Sequence, residues 1–268
     1  MTWREQVVRT IPELVNELSN STQEPRALLW RGQASPWPDL SPSLVMRLRT
    51  TDYAKGLLCE AELVDKFCIA ATDFLNTNEQ QCLKRGHSRK EMLAAIGVLQ
   101  HFGAPTRLLD WTASPWVAAY FACIHSQNED GVIWMFDSEV LTRSANDRWS
   151  SLGIARLEDG SVDLNAAAFR DPPLDWIVRL DYPLPFPRIE AQQGCFTLTG
   201  AWNAKHDEAI SRLVPTEHRR KVVVPANLKR EFLKTLRRMN VHAASIDYPG
   251  ADHVGLAMRT ARLEAESS

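Results

Sequence analysis

The stretch that most constrains this chain runs from Met92 to Ile124. Met92, Ile96 and Leu99 recur at helical spacing behind a Ser88/Glu91 capping box, and Gly103 is a natural stop. Thr106 to Asp110 then reads as extended. Ser114 is placed to cap a second helix, with Pro115 at its first position and the apolar run Trp116 to Ile124 behind it. Gln100, His101, Thr106, Arg107, Asp110, Thr112 and Ser114 are the polar and charged residues along this stretch.

The rest of the chain gives interleaved helices and strands. Thr10 and Glu13 fit a capping box ahead of Ile11, Leu14, Val15 and Leu18, and Ala27 to Trp30 reads as a strand running into Arg31-Gly32-Gln33. Pro36, Pro38 and Pro42 make the next stretch irregular. A helix is expected over 60–75, a buried strand over 131–136, a strand over 222–224, a helix over 227–239, a strand over 243–246 and a last helix after Pro249. Between Asp137 and Pro187 the pattern weakens, and Pro183, Pro185 and Pro187 suggest an extended excursion. Ile189 to Thr199 reads as two short strands joined at Gly194. The elements lack the regular alternation of a doubly wound fold. The expected class is therefore α+β, a single domain with a central mixed sheet flanked by helices.

Composition excludes some functions. With 268 residues, 44% hydrophobic and 24% charged, the chain can bury a substantial core and is not a disordered polyampholyte. A net charge of −2 supplies no global field for nucleic acid or anionic lipid. The local exception is 212–238, where Arg212, Arg219, Arg220, Lys221, Lys229, Arg230, Lys234, Arg237 and Arg238 outnumber Glu217 and Glu231. It reads either as a solvated helix face or as a nucleic-acid-binding segment, although no aromatics interleave with the charges. The five cysteines form no Cys-x-x-Cys pair, so no metal site and reduced thiols are expected. No apolar signal core or run of roughly 18 apolar residues appears, so a cytoplasmic chain without membrane contact is expected.

Several stretches resemble the FRG domain family, which is named for a Phe-Arg-Gly triplet and has Trp30-Arg31-Gly32 in its place here. They are Leu40-Ser41-Pro42-Ser43-Leu44 and the long segment Gln100-His101-Phe102-Gly103-Ala104-Pro105-Thr106-Arg107-Leu108-Leu109-Asp110-Trp111-Thr112. The others are Arg188 to Thr197 and, with a less acidic pattern than usual, Pro249 to Gly255. The resemblance implies an FRG domain over 21–262, an N-terminal helical extension over 1–20 and a disordered tail over 263–268. Family members are similar to proteins encoded among toxin–antitoxin and phage-defence genes.

The candidate site follows from these residues. Arg31 can hold a phosphate or carboxylate beside Gly32, which lets a ligand approach the backbone; the other reading pairs it internally with Asp110 or Glu60. Asp110, between apolar neighbours, needs a partner, and serves as a base, a phosphate-site organiser or a brace for Arg107 or Arg31. A positive His101 suits the end of a helix. Thr112, Ser114 and the first turn of the Pro115 helix form an anion site as well as an ordinary cap. If Ile189 to Gln193 is extended, Glu190 and Gln192 share a face and can orient a ribose hydroxyl; the alternative is a solvated strand edge. The family pattern carries the Gln-Gly-x-Phe part more reliably than Glu190.

The order of these groups also resembles the ADP-ribosyltransferase superfamily. An Arg on an early strand is followed by a Thr/Ser segment entering an Ala-rich helix, then by a Glu/Gln strand. That resemblance implies NAD as cofactor, Arg31 on a phosphate or the nicotinamide ribose, Thr112 and Ser114 around the nicotinamide, and Glu190 or Gln192 on the ribose. Catalytic roles then fall to Glu190, Gln192 and Asp110, and ligand binding to Arg31, Gly32, Gln100, His101, Thr106, Arg107, Thr112 and Ser114. The competing expectation is a non-enzymatic module that binds a nucleotide or phosphate-bearing ligand, with a protein or nucleic-acid target.

Overall fold

The computed structural model describes residues 3–22, 26–48, 50, 52–71, 77, 80–81, 92–154, 156–181 and 187–246. The Ser88/Glu91 capping box, Pro183, Pro185, the Pro249 to Gly255 turn, the helix after it and the 263–268 tail lie outside the described residues.

A seven-stranded sheet organises the chain. In sequence order its strands are β1 (Arg4–Val7), β2 (Leu28–Gln33), β3 (Leu109–Thr112), β4 (Gly131–Asp137), β5 (Ile177–Leu180), β6 (Gly194–Thr199) and β7 (Arg219–Val224). Across the sheet they run β1-β7-β4-β2-β3-β6-β5. Only β1 and β7 pair in parallel; every other neighbouring pair is antiparallel, so the sheet is mixed and the class is α+β. β4 is buried along its whole length because helices or loops cover both of its faces.

Alternation along β2 sorts the core. Leu28 and Trp30 join one cluster with Leu14 and Leu18 of α1 (Ile11–Thr22), and with Ile133, Met135, Val222, Val224, Phe232 and Leu236. Leu29 faces the other way, with Trp3, Leu40, Leu109, Trp111, Trp134 and Phe136. Phe196 and Leu198 of β6 carry a third cluster toward the far edge, against the helices that contain Val64, Ile96 and Trp149.

The helix over Pro115–Cys123 (α5) is pressed tightly onto the sheet. A Cβ at Gly32 would lie 1.9 Å from the Ala118 carbonyl oxygen, and one at Gly131 would lie 2.3 Å from that of Ala122. Gly32 therefore serves helix-on-strand packing: the space above its Cα is filled by α5 backbone, not left to a ligand. Ahead of α5 come α2 (Ser43–Arg47), α3 (Tyr53–Ala71) and α4 (Met92–His101), and Gly103, with φ at 80°, follows α4. Beyond it come α6 (Ser138–Leu152), α7 (Leu164–Ala168), α8 (Pro187–Ala191), α9 (His206–Leu213), α10 (Ala226–Arg238) and α11 (Ala243–Ile246).

Three readings are corrected. Residues 187–191 form a helix, since Pro187 supplies the first helical position and Gln193, at φ 48°, turns the chain into β6. Glu190 and Gln192 consequently do not share a strand face. Ala243–Ile246 is a short helix, opened by a turn in which the His242 amide donates to the Ser245 hydroxyl. Arg4–Val7, polar and mostly exposed, is a strand because β7 offers it a parallel edge.

Candidate functional site

β2 and β3 meet in a single ladder step, Trp30 opposite Thr112, whereas β2 and β4 stay paired from Leu28 to Gln33. The sheet opens beyond that step. A cleft of about 360 Å³ lies there, lined by Arg31, Gly32, Gln33 and Ala34 on one side and Asp110, Trp111 and Thr112 on the other. Trp37, Asp39 and Ser41 from the proline-rich loop, Met46 of α2, Val117, Phe121 and His125 around α5, and Arg188 and Gln192 around α8 complete the wall. The volume and the mixture of aromatic walls with a few charged groups suit a small polar ligand.

Arg31 is tethered rather than fully used. Its Nη1 donates to the Asp110 carbonyl oxygen at 2.8 Å and stands 3.8 Å from the Asp110 carboxylate. Its Nε is buried and has no partner among the described residues. Burial lowers the guanidinium pKa and the neighbouring Asp110 charge opposes that shift; arginine remains cationic throughout. The side chain as a whole is 23% exposed and lines the cleft, so the accessible part of the guanidinium can meet a ligand.

Asp110 is oriented from behind. The Gln100 side-chain amide donates to the Asp110 carboxylate at 2.8 Å, and its carbonyl oxygen accepts from the Thr106 hydroxyl. Thr106 is itself buried, with its backbone N–H on the Ser43 hydroxyl at 3.0 Å. Gln100 and Thr106 thus stand behind the wall as a brace and do not line the cleft. The Asp110 side chain is 57% exposed, so its carboxylate can meet a ligand.

Thr112 lines the cleft with its hydroxyl committed at both lone pair and proton. It donates to the Gln192 carbonyl oxygen at 2.6 Å and accepts from the Ser114 N–H at 2.9 Å. Ser114 caps α5, accepting from the Val117 N–H at 3.4 Å, and lies outside the lining. Those bonds tie the start of α5 to the turn after α8 and bring Gln192 to the cleft beside Thr112.

Three further predicted residues, Arg107, Glu190 and His101, also lie off the cleft lining. Arg107 is wholly buried, donates to both Glu60 carboxylate oxygens and to the Ala168 carbonyl oxygen at 2.6 Å, and stacks on Phe169. Each of its three nitrogens donates to a partner inside the core. Glu190 is exposed on α8 and outside the cleft lining. His101 also lies off the lining; burial, then the charge of Arg188, pulls its pKa down to about 4, so it is neutral at pH 7 rather than the cation its position at a helix end suggested.

Sequence reasoning missed Trp37, Asp39, Phe121, His125 and Arg188. Alternation in β2 places Gln33 on the face of Arg31, and this signal was available. Trp37 and Asp39 sit in a loop whose course no periodicity encodes. The 212–238 charges are largely internal: Arg212 reaches Asp175, Arg220 pairs with Glu17 and Lys221 with Glu5, each at 2.7 Å, and Arg219 and Lys229 are buried. Arg230, Lys234, Arg237 and Arg238 remain on the exposed face of α10.

Among the described residues, no group of three or more His, Cys, Asp or Glu side chains is placed to hold a metal, and no helix is long and apolar enough to cross a membrane. Residues 26–131 match the family model described as the FRG domain. No curated protein and no solved structure matches the chain.

Proposed function

We propose that the β2–β3 cleft of this chain, whose residues 26–131 match the FRG domain, binds a phosphate-bearing nucleotide, with NAD as the ligand to try first. The observation that carries this reading is Arg31, a cation in the cleft lining that is tethered to the protein through Nη1 while its side chain stays 23% exposed. A phosphate oxygen can meet the accessible edge of that guanidinium through a charge-assisted bond. Arg188 supplies a second cation to the same lining, Trp37 and Phe121 offer ring faces, and Asp39 and Asp110 offer acceptors for ribose hydroxyls. The same reading puts the chain's work in the cytoplasm, where such nucleotides and reduced thiols occur.

The second reading is ADP-ribosyltransferase-like turnover, in the manner of a toxin or phage-defence effector. It is favoured by the convergence of Arg31, Thr112 and Gln192 on one cleft. When bound, NAD supplies a nicotinamide leaving group on a ribose carbon. This chain's part is to hold the phosphates with Arg31, to fix the Gln192 turn through Thr112, and to set the Asp110 carboxylate near developing positive charge. Glu190 has no part in it.

Calorimetry and a thermal shift series with NAD, ADP-ribose and nicotinamide, followed by chromatography for released nicotinamide, test both readings. NAD or ADP-ribose should raise the melting temperature, and Arg31→Ala should weaken binding by about a hundredfold, the value of a charge-assisted pair near 3 kcal/mol. Binding without release supports the binding module, and release that Arg31→Ala abolishes supports turnover. No binding by any of the three overturns the proposal.

A further inference from the structure

Lys229 stands apart from the exposed basic residues of α10. It is fully buried, and its Nζ donates to the carbonyl oxygens of Ala34 at 2.6 Å, His125 at 3.1 Å and Ser126 at 3.0 Å. An ammonium has three N–H bonds, and three carbonyls take them. The carbonyls come from two segments: Ala34 follows β2, and His125 and Ser126 follow α5. Ala34 and His125 both line the cleft. Ser126 is held at a φ of 50°, and its hydroxyl meets that of Ser35 at 3.0 Å, so the two segments are tied twice at the same point. No carboxylate hydrogen-bonds to this ammonium among the described residues; the cost of burying it is offset by the backbone carbonyls that take its protons, and the charges of Asp130 and Glu129 favour it without a direct bond. An apolar side chain would fill the same space without that cost, but it could not draw three carbonyls to one point.

We infer that Lys229 is a positioning residue of the cleft: it fixes the spacing between the exits of β2 and α5, and with it the wall that carries Trp37 and His125. The inference rests on the reading of the cleft as a ligand site. It also brings α10, which like Arg188 and Gln192 lies outside 26–131, into the support of that site. The bonds explain why the wall needs a charge: the two exits are irregular backbone whose carbonyls would otherwise point inward without donors.

The full chain is compared with Lys229→Met and Lys229→Arg by amide hydrogen exchange and by ADP-ribose affinity. In Lys229→Met, exchange at 34–37 and 125–128 should rise by about tenfold or more while β4 and β7 amides keep their protection. The ADP-ribose Kd should rise by about tenfold. Lys229→Arg keeps the charge but spreads its donors in a plane, so it should restore stability more than affinity; if Lys229→Met does not fold, the same local exchange and affinity losses are expected in Lys229→Arg. Unchanged exchange at both segments, or a rise shared evenly with β4 and β7, overturns the inference. If the unmodified chain fails to bind ADP-ribose, the nucleotide reading has failed, and the exchange pattern alone still decides whether Lys229 holds the wall.

Discussion

Arg31 and Arg107 each face a carboxylate, and the two pairs share little else. Arg107 and Glu60 are 0% and 3% exposed, joined through both carboxylate oxygens, with a backbone carbonyl and an aromatic ring completing the guanidinium's surroundings. Arg31 and Asp110 are 23% and 57% exposed, 3.8 Å apart, and held together mainly by a bond to backbone. Asp110 follows Arg107 by three residues, so one short segment supplies both a closed pair and an open one. The closed pair fixes the segment to α3 and α7. The open pair is what that fixture presents to the cleft. The difference teaches that a charged motif divides its labour by burial: groups whose donors are all taken hold position, and groups with an unpaired edge are left for a ligand.

The largest expected effect breaks the closed pair. Glu60→Gln or Arg107→Leu leaves an uncompensated buried charge or its unmatched partner, and should cost about 3–5 kcal/mol in urea unfolding. Replacing both at once, Arg107→Met with Glu60→Leu, should recover much of that loss, because apolar groups of similar volume carry no desolvation cost. Arg31→Ala in the same assay should cost less than about 1 kcal/mol, the scale of an exposed pair. Equal losses at Arg31 and Arg107 would erase the distinction between them.

The next effect carries the comparison beneath the cleft. The Trp111 indole N–H donates to the Thr197 hydroxyl at 2.9 Å, and that oxygen lies 2.7 Å from His206 Nδ1. His206 is fully buried, and burial, then the charge of Arg31, pulls its pKa down to about 3. The unfolded imidazole takes a proton near pH 6.5 and the folded one does not, so the unfolded state binds more protons throughout that window. Stability owed to neutral His206 is complete above pH 6.5 and falls as pH drops toward 3, by at most about 1.4 kcal/mol per pH unit. His206→Gln should flatten the decline in this range, as read by urea midpoints at pH 7, 6, 5 and 4. An unaltered slope would mean that the histidine is not held neutral.

Much of this arrangement was legible in the sequence, and the omissions have physical causes. Helical spacing located α4, spacing and the Ser114 cap located α5, and the Gln100 to Thr112 segment marked the join between them. The mixed sheet followed from interleaved elements. What one chain cannot display is which carboxylate a given arginine reaches: Asp110 and Glu60 were both open to Arg31, and burial of Arg107 against α3 settled the exchange. Helix α8 was hidden because five residues after a proline carry too little periodicity to distinguish helix from strand. β1 was hidden because its polar residues become a strand only through the edge of β7.

Asp110→Asn gives the smallest stability effect and the sharpest division between the pairs. The substitution keeps the shape, and the Arg31 bond to the residue 110 carbonyl oxygen does not depend on the side chain. The Gln100 amide donates to one carboxylate oxygen, which the asparagine side-chain oxygen can replace after the amide orients. The lost part is the charge, 3.8 Å from an exposed-edge guanidinium, so stability should change by less than about 1 kcal/mol. Ligand response separates two roles. If Asp110 competes with an anion for Arg31, Asp110→Asn should tighten ADP-ribose several-fold; if it accepts a ribose hydroxyl, affinity should fall by a similar factor, about 1 kcal/mol either way. Inorganic phosphate decides between them, since it has no ribose: tightening for phosphate with weakening for ADP-ribose assigns Asp110 both tasks, whereas no change for either ligand would reduce the open pair to surface decoration and leave Arg107–Glu60 as the only pair in this motif with a purpose.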